Sequence, residues 1–444
     1  MKSKLLRNIS LLAVLNSFAL IVQGFSQSAP PLTNARTFPR YAVHDLGTFG
    51  GAGSSSSALD MNNFGWTAGS ASYTADGPQH AFIWYGNGPL FDLGTLGGPN
   101  SAAGGPNLYG EAAVLSETPD VDPNGEDFCA FGDHIRCRAA IWRNWKLKKL
   151  PTLPGGINTN TFGLNNLGQA VGFSETGVKD STCSTLMPFQ VFRYEGVIWN
   201  PDGSIRELRP LRDDTVSFAF GINDHGQAVG SSGLCSETAL PPGGPNGPHA
   251  VLWENNGGPI NLGNLGGSAS NVGGSINNRG DVSGTSQFTD GTIHSFLWTK
   301  TAGMKDIGTL PGAVATIAPC CRTININDEV TGFWFDGNGD VSSFLYRDGE
   351  LTDLNDLLAS NSPWFLLFAE SINDSGEIVG QGVIDGELHA FRAVPCDSNH
   401  AYLKGCQNAA AETRTTVSRR PVMLPEKVRE SVRQRLGRLG SVGH

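Results

Sequence analysis

The sequence predicts an all-β protein, a seven-bladed β-propeller with four antiparallel strands in each blade and a short C-terminal helix. Three observations lead to this prediction: three short phrases recur in a fixed order, one of them recurs at intervals of 45 to 58 residues, and glycine is abundant. Glycine accounts for 58 of the 444 residues, about twice the usual share. Short strands joined by glycine-containing turns give such a composition.

The most regular phrase is a turn in which an asparagine is followed three residues later by glycine, as in INDHGQAVG at 222–230. An asparagine side chain bonds its own backbone and glycine adopts positive φ, so each copy predicts a tight hairpin turn. Asp328 replaces the glycine in one copy, which is tolerable because aspartate enters the left-handed region readily. The seven leading asparagines are Asn62, Asn107, Asn165, Asn223, Asn277, Asn325 and Asn373.

Two further phrases follow the turns, and the second of them is absent only after the last turn. One reads HAFIW at 80–84 and is rich in aromatic and branched residues, so it predicts a buried strand. The other reads DLGTLGG at 92–98 and predicts a fourth strand with a glycine turn into the next unit. Four strands in 40–50 residues are typical of a propeller blade. A β-solenoid usually has shorter repeats, and a two-sheet sandwich does not require this periodicity.

The first DLGTL-type phrase precedes the first turn, and the last unit, 363–394, has no such phrase after it. We therefore expect the strand within 41–49 to complete the last blade beside HAFRA at 389–393. Such a strand closes the propeller and leaves no open sheet edge around the circle.

The chain divides into four predicted parts. Residues 1–26 have a basic start and a short apolar run and read as a secretory signal peptide. Residues 27–40 are a linker, 41–396 the propeller, and 397–444 a basic tail. The alternative for the N-terminus is a membrane anchor, but about 14 apolar residues are short for a span of about 20. We expect a secreted, extracellular or periplasmic protein with no transmembrane span once the signal is removed.

The eight cysteines suit an exported chain with disulfides. Spacing suggests that Cys129 bonds Cys137 and that Cys396 bonds Cys406, each bond closing one loop. The sequence alone leaves the other four unpaired: Cys183, Cys235, Cys320 and Cys321.

The body of the chain is acidic, which argues against a nucleic-acid partner. The tail carries nine basic and four acidic residues. Within it PEKVRESVRQRLGRL, 425–439, has apolar residues at helical spacing and predicts a short amphipathic helix. This helix would dock on the acidic ring or a membrane surface, or remain a solvated tail.

The recurring phrases resemble the HAF-repeat family of extracellular repeat proteins, in which the HAF triplet is seen here at 80–82 and 389–391. The resemblance covers roughly 41–394. It implies export and a repeat fold, and it carries over no catalytic residue. The second, third and sixth units depart most from the pattern.

Three consecutive units carry long insertions between their second and third strands, at about 116–137, 175–190 and 233–248. All three should emerge on one face, and long loops on a rigid scaffold commonly bind ligands. Candidate binding residues are Asp127 and His134 in the first insertion and Trp145 just after it. Trp145 could stack on a sugar, although its sequence context favours packing into a gap between units. The histidines that open the HAF phrase recur in four units, which indicates a structural hydrogen bond.

Asp120, Asp122, Asn124 and the following glycine fit the opening of a calcium-binding loop. The twelfth position is Phe131 instead of glutamate, which favours an ordinary acidic loop closed by a disulfide. A calcium site is the alternative, and Ca²⁺ is the one cofactor that the sequence suggests.

The sequence contains no G-x-S-x-G, H-E-x-x-H or P-loop motif. It predicts a monomeric, non-enzymatic binding or scaffold module for an extracellular glycan or protein ligand. One alternative is a secreted hydrolase acting on glycans or peptides through the long-loop face, and another is a calcium-stabilised structural repeat protein.

Overall fold

The structure is a computed structural model. It describes residues 38–444 apart from 186–189, 239–246, 256, 360, 398–399, 401–402, 404–405, 407–423 and 439–444. The predicted signal peptide and most of the predicted linker lie outside the described residues.

The described chain is almost entirely β-structure. Its first fourteen strands are β1 (Tyr41–Asp45), β2 (Ser56–Met61), β3 (Thr67–Ser72), β4 (Gln79–Trp84), β5 (Phe91–Gly94), β6 (Ser101–Gly104), β7 (Ala112–Val121), β8 (Ile135–Arg143), β9 (Lys146–Lys149), β10 (Thr159–Leu164), β11 (Ala170–Lys179), β12 (Phe192–Trp199), β13 (Ile205–Leu208) and β14 (Val216–Ile222). Those that follow are β15 (Ala228–Gly233), β16 (His249–Trp253), β17 (Pro259–Asn261), β18 (Asn271–Ile276), β19 (Val282–Gln287), β20 (Ile293–Thr299), β21 (Gly303–Asp306), β22 (Ala313–Ile317), β23 (Val330–Asp336), β24 (Val341–Arg347), β25 (Glu350–Asp353), β26 (Phe365–Ile372), β27 (Ile378–Ile384) and β28 (Glu387–Pro395).

The strands form successive antiparallel sheets in sequence order. Four sheets are β2–β5, β6–β9, β10–β13 and β14–β17, and each pairs its four strands consecutively. Strands β18–β21 and β22–β25 repeat the pattern and are joined by one parallel pair, Ile293 with Ala315. In the last sheet β26, β27 and β28 are followed by β1, whose residues pair antiparallel from Tyr41 with Pro395 to Asp45 with Phe391. Such sheets support the β-propeller fold class that the sequence predicts.

The apolar core lies between neighbouring sheets. Met61 of β2 and Phe82 of β4 pack against Val379 of β27 and Ala390 of β28, so the first and last sheets share one core. The tryptophans that end the HAF phrase in the first four units, Trp84, Trp142, Trp199 and Trp253, are buried, and the next one, Trp298, is partly buried.

The turn asparagines are all buried and are linked by hydrogen bonds. Each Oδ1 accepts from backbone N–H groups two and four residues on, as Asn62 does from Phe64 and Trp66 at 2.9 and 3.0 Å. This confirms the predicted turn. Each side-chain amide also donates to the asparagine carbonyl of the next sheet, as Asn62 does to Asn107 at 3.0 Å. These bonds continue through every later turn, and Asn373 donates to the carbonyl of Asn62 at 3.5 Å.

Only the first residues of the DLGTL-type phrase form a strand, although the sequence predicts a strand along most of the phrase. Strand β5 ends at Gly94, and β1 and β21 end at their aspartates. The reason is local: Asp92 Oδ1 accepts from the Gly94 N–H at 2.7 Å, and Gly94 has a φ of 71°. This turn ends the ladder, so most of the phrase is a link between sheets.

The helix α1 (Glu426–Arg438) is amphipathic, as its apolar spacing predicts. Val428 and Val432 are buried in a cluster that includes Phe333 of β23 and Phe368 of β26. The helix thus docks on the sheets. Within the described part of the chain, no helix has the length and apolar character needed to cross a bilayer.

Disulfides join Cys129 to Cys137 and Cys396 to Cys406, as spacing suggested. A third, between Cys183 and Cys235, ties the insertions that precede β12 and β16 in neighbouring sheets. Cys320 and Cys321 are free thiols.

Candidate functional site: the cavity on the long-loop face

A cavity of about 820 Å³ lies where the first strands of the sheets meet. Residues of β2, β6, β10, β14, β18, β22 and β26 contribute to its wall. The loop between β7 and β8 also lines it, so the cavity lies toward the face that carries the long insertions. A volume of this size is within the range of ligand pockets.

The wall combines aromatic rings with neutral polar groups. Phe131, Phe162 and Phe333 supply rings, and side-chain amides come from Asn100 and Gln381. Its charged members are acidic, Asp76, Asp133 and Glu370, and none of the described lining residues is Lys, Arg or His. The cavity therefore favours a neutral or cationic ligand over an anion.

The opposite end is closed around Arg322. Its guanidinium donates to the carbonyls of Met61 at 3.1 Å, Pro106 at 3.4 Å and Leu164 at 3.0 Å, which belong to three different sheets. Arg322 lines a second cavity of only about 80 Å³ among the asparagine turns. The long-loop face is therefore the open end.

Segment 318–323 lies between the two cavities, because Cys320 and Cys321 line the large one and Arg322 the small one. It follows β22 and precedes the Asn325 turn. The two cysteines therefore lie within one unit, between β22 and the Asn325 turn.

The β7–β8 loop forms one rim of the large cavity and is held by several local bonds. The disulfide between Cys129 and Cys137 closes it. The backbone N–H of Asp122 donates to the carbonyl of His134 at 2.9 Å, and His134 Nδ1 lies 2.8 Å from the carbonyl of Gly125. Asp127 Oδ2 accepts from the backbone N–H of Gly132 at 2.9 Å.

The three predicted binding residues lie in two different places. Asp127 and His134 share the rim loop, although Phe131 and Asp133 of the same loop form the cavity wall. Trp145 lies in the β8–β9 turn, 70% exposed, with its ring 5.2 Å from that of Phe91. The neighbouring Arg143 is ion-paired with Glu111 of the Asn107 turn, so Trp145 belongs to the closed face, away from the cavity.

Asp120 and Asp122, which the sequence suggests as calcium ligands, have different partners in the structure. Asp120 is exposed and ion-paired with Arg136 at 3.2 Å. Asp122 is buried, and its Oδ1 accepts from the backbone N–H groups of Asn124 and Glu126 at 2.8 and 3.1 Å. In the described part of the chain, no group of three or more His, Cys, Asp or Glu side chains has an arrangement suited to a metal ion.

Two carboxyl pairs support the rim, one between buried Glu117 and exposed Asp133 and one between buried Glu126 and buried Glu175. Glu117 Oε2 accepts from the Asn100 backbone and side chain, both at 2.9 Å. Burial and hydrogen bonding with Asp133 raise the pKa of Glu117 to about 8. Burial and the neighbouring Glu175 likewise raise the pKa of Glu126 to about 8.

Glu126 and Glu175 join two insertions. Glu126 Oε1 accepts from the backbone N–H of Val191 at 2.5 Å, across a separation of 65 residues. Glu175 Oε2 accepts from the backbone N–H groups of Ile157 and Asn158 at 3.0 and 2.9 Å. A proton held between the two carboxyls allows both to stay buried.

Sequence reasoning missed the carboxyl pairs and Arg322. Glu117 and Glu175 occupy equivalent places, ten residues after Asn107 and Asn165, and this recurrence was the available signal. Arg322 occurs once and departs from the repeat, so no periodic pattern indicates it.

No protein-family model matches the chain, and no curated protein matches it. Among solved structures, a puromycin hydrolase has a TM-score of 0.48 and 15% identity, covering 76% of this chain and 51% of that protein. A virginiamycin B lyase from Staphylococcus aureus has a TM-score of 0.43 and 7% identity, covering 80% and 99%. TolB from Acinetobacter baumannii has a TM-score of 0.38 and 11% identity, covering 69% and 63%. The chain spans about half the length of the puromycin hydrolase, and these likenesses assign no activity.

Proposed function

We propose that the protein is an exported, non-enzymatic binding module, and that its ligand enters the large cavity from the long-loop face. The observation that carries the proposal is the cavity itself, which has a volume of about 820 Å³, is lined by the β7–β8 insertion and is closed around Arg322 at its other end. The Cys129–Cys137 and Cys183–Cys235 disulfides hold the insertions in place, which reduces the entropy lost on binding.

The scaffold in this proposal is a seven-bladed ring that β1 closes. Support comes from the pairing of β1 with β28 and from the hydrogen bond of Asn373 with Asn62. A chain that starts at residue 50 should therefore unfold at a much lower temperature than one that starts at residue 38. Equal melting temperatures for these two chains would rule out closure by β1.

The ligand class that best fits the wall is an uncharged glycan. Neutral polar side chains of the wall, such as Ser57 and Asn160, can pair with sugar hydroxyls, and the rings of Phe131 and Phe333 offer apolar surface for sugar C–H groups. A cationic peptide could pair with the acidic residues of the wall, but it would make less use of the neutral polar groups and aromatic rings than a glycan. The three disulfides favour an oxidising compartment, which agrees with the secretory signal proposed for residues 1–26.

Screening the purified protein against neutral glycans and cationic peptides, followed by calorimetry, tests this proposal. The Phe131→Ala variant should weaken glycan binding at least about tenfold, since it removes a wall ring. Trp145→Ala is the matched control, because this exposed aromatic lies on the closed face. Binding lost only in Trp145→Ala would move the site to that face, and binding only of peptides would overturn the glycan assignment.

The hydrolase alternative has one specific observation in its favour. Glu117, whose pKa is raised to about 8, lies behind the wall residue Asp133, and a protonated carboxyl next to a second carboxyl suits general acid catalysis. Product release from a bound glycan that disappears in Glu117→Gln would establish this alternative. Unchanged glycan after prolonged incubation would leave binding as the function.

A second alternative is that Asp120, Asp122 and Asn124 bind a Ca²⁺ ion that stabilises the fold. It requires Asp120 to leave Arg136 and turn toward Asp122. Chelator should lower the melting temperature of the natural protein if calcium is held there, and Asp120→Ala should abolish that effect. A melting temperature that chelator leaves unchanged would exclude it.

A further inference from the structure

We propose that Cys320 and Cys321 are a redox-active pair on the floor of the large cavity, which low-molecular-weight disulfides oxidise reversibly to a vicinal disulfide. The inference concerns covalent modification and stands independently of the ligand-binding function proposed above.

Geometry is the first support. The two Sγ atoms are 2.9 Å apart, whereas a disulfide bond is about 2.05 Å long. A displacement of less than about 1 Å therefore joins them. The residue after the pair, Arg322, holds the backbone of both cysteines in place. Its guanidinium donates to three carbonyls, and its own carbonyl accepts from the Ile372 N–H at 2.8 Å.

Backbone conformation is the second support. Cys321 has a φ of 88°, in the left-handed region that residues with a Cβ rarely adopt. Such a conformation is unfavourable for a residue with a Cβ and persists only where the surroundings impose it. Here it keeps two adjacent side chains on the same side of the chain, where an ordinary extended segment would point them apart.

Access is the third support, and it divides the roles of the two thiols. Cys320 is half-buried and lines the cavity, so a small disulfide entering from the long-loop face reaches it. Cys321 is buried, and its pKa is raised by hydrogen bonding with Cys320 and by burial. Cys320 is therefore the attacking thiol and Cys321 the resolving thiol.

The reaction balances as two thiol–disulfide exchanges. The Cys320 thiolate attacks one sulfur of the small disulfide, forming a mixed disulfide as the S–S bond of the oxidant breaks and one small thiol leaves. Cys321 loses its proton to solvent and attacks Cys320 Sγ, and the second small thiol leaves with a proton. Both cysteines are oxidised, and the oxidant is reduced to two thiols.

Peptide mapping by mass spectrometry, after incubation with 2-hydroxyethyl disulfide, tests the pair. The natural protein, first treated with a mild phosphine, should lose two hydrogen atoms from the peptide that contains both cysteines, retain no adduct, and recover both thiols when reduced again. Cys321→Ser should retain one mercaptoethanol adduct on Cys320, since nothing resolves it. Cys320→Ser should react much more slowly than Cys321→Ser when folded, since Cys321 is only 7% exposed.

A stable adduct on the natural protein, two thiols that still react with an alkylating agent after unfolding, or a bond from either cysteine to a third would each overturn the proposal. The natural protein alone gives these results, so a variant that fails to fold does not remove the test.

Discussion

The carboxylate of Asp45 lies 2.9 Å from Nδ1 of His389, across 344 residues of sequence. Asp45 ends β1 and His389 begins the HAF phrase of β28. The same pair occurs within single sheets as His80 with Asp92 and His294 with Asp306, at 3.0 and 3.1 Å. The structural hydrogen bond predicted for the recurring histidines is thereby confirmed, and β1 supplies the aspartate that the last sheet lacks.

This pair should stabilise the protein in a limited pH range. Hydrogen bonding with Asp45 raises the pKa of His389 above 6.5, so its contribution is complete below that value and is lost as pH rises through the raised pKa. Burial opposes a low pKa for Asp45, but bonds from His389 and the Gly47 N–H lower it below 3.8. Its contribution is therefore present above that value and lost as pH falls through the lowered pKa.

We expect Asp45→Asn to cost up to about 1 kcal/mol near pH 5 and less near pH 8, because the pair is partly exposed. Urea unfolding at the two pH values measures this difference. In the background of His389→Gln the substitution should lose its pH dependence. A cost that persists equally in that background would mean that Asp45 acts through its turn and not through the histidine.

Asn325→Ala should lower the free energy of unfolding by about 2–4 kcal/mol. The change removes a buried amide that donates to the Asn373 carbonyl at 3.1 Å, and leaves the backbone N–H groups of Asn327 and Glu329 without their acceptor. Asn327→Ala is the control in the same turn, since that side chain is exposed. Equal costs for the two variants in denaturant unfolding would contradict a special role for the leading asparagine.

Arg322→Met should destabilise the fold by about 2–4 kcal/mol, since three carbonyls lose a charged donor. Arg322→Lys should recover only part of this loss, because an ammonium group cannot span acceptors from three sheets as a guanidinium does. Thermal and denaturant unfolding of both variants provides the measurement. A lysine variant as stable as the natural protein would show that charge alone is sufficient.

Glu126→Gln should flatten the dependence of stability on pH. Because burial and Glu175 raise the pKa of Glu126 from 4.5 to about 8, the folded state binds the proton more tightly, and stability falls as pH rises from about 4.5 to 8. The glutamine amide mimics the protonated carboxyl at every pH, so the variant should gain stability relative to the natural protein near pH 8. Glu430→Gln, an exposed change in α1, should leave the profile unaltered.

Local chemistry explains why much of the fold could be predicted. The turn at Asn62 is defined within five residues by an acceptor side chain and by Gly65 with a φ of 75°. The HAF strand is recognised from its apolar residues alone. The pairing partner of β1 was predicted by counting phrases. The last unit has no DLGTL-type phrase of its own, and one such phrase, which starts at Asp45, precedes the first turn.

Features that depend on distances between units could not be predicted in this way. The second function of Asn62, donation to Asn107, exists only because neighbouring turns lie side by side. Cys183 and Cys235 are 52 residues apart, and only the packing of adjacent insertions brings them together. The cavity wall was missed for the same reason, since Phe131 and Phe333 come from distant parts of the chain.

The hydrogen bonds of the turn asparagines have a consequence for how such a chain can change in evolution. Each donor is satisfied by its successor, and the last donor is satisfied by the first turn. Duplicating or deleting one unit would change the distance between neighbouring turns. Some asparagine amides would then be buried without a hydrogen-bond partner, which is costly. We therefore expect an added or deleted unit to lower stability, whereas a change of loop length on the opposite face should have little effect.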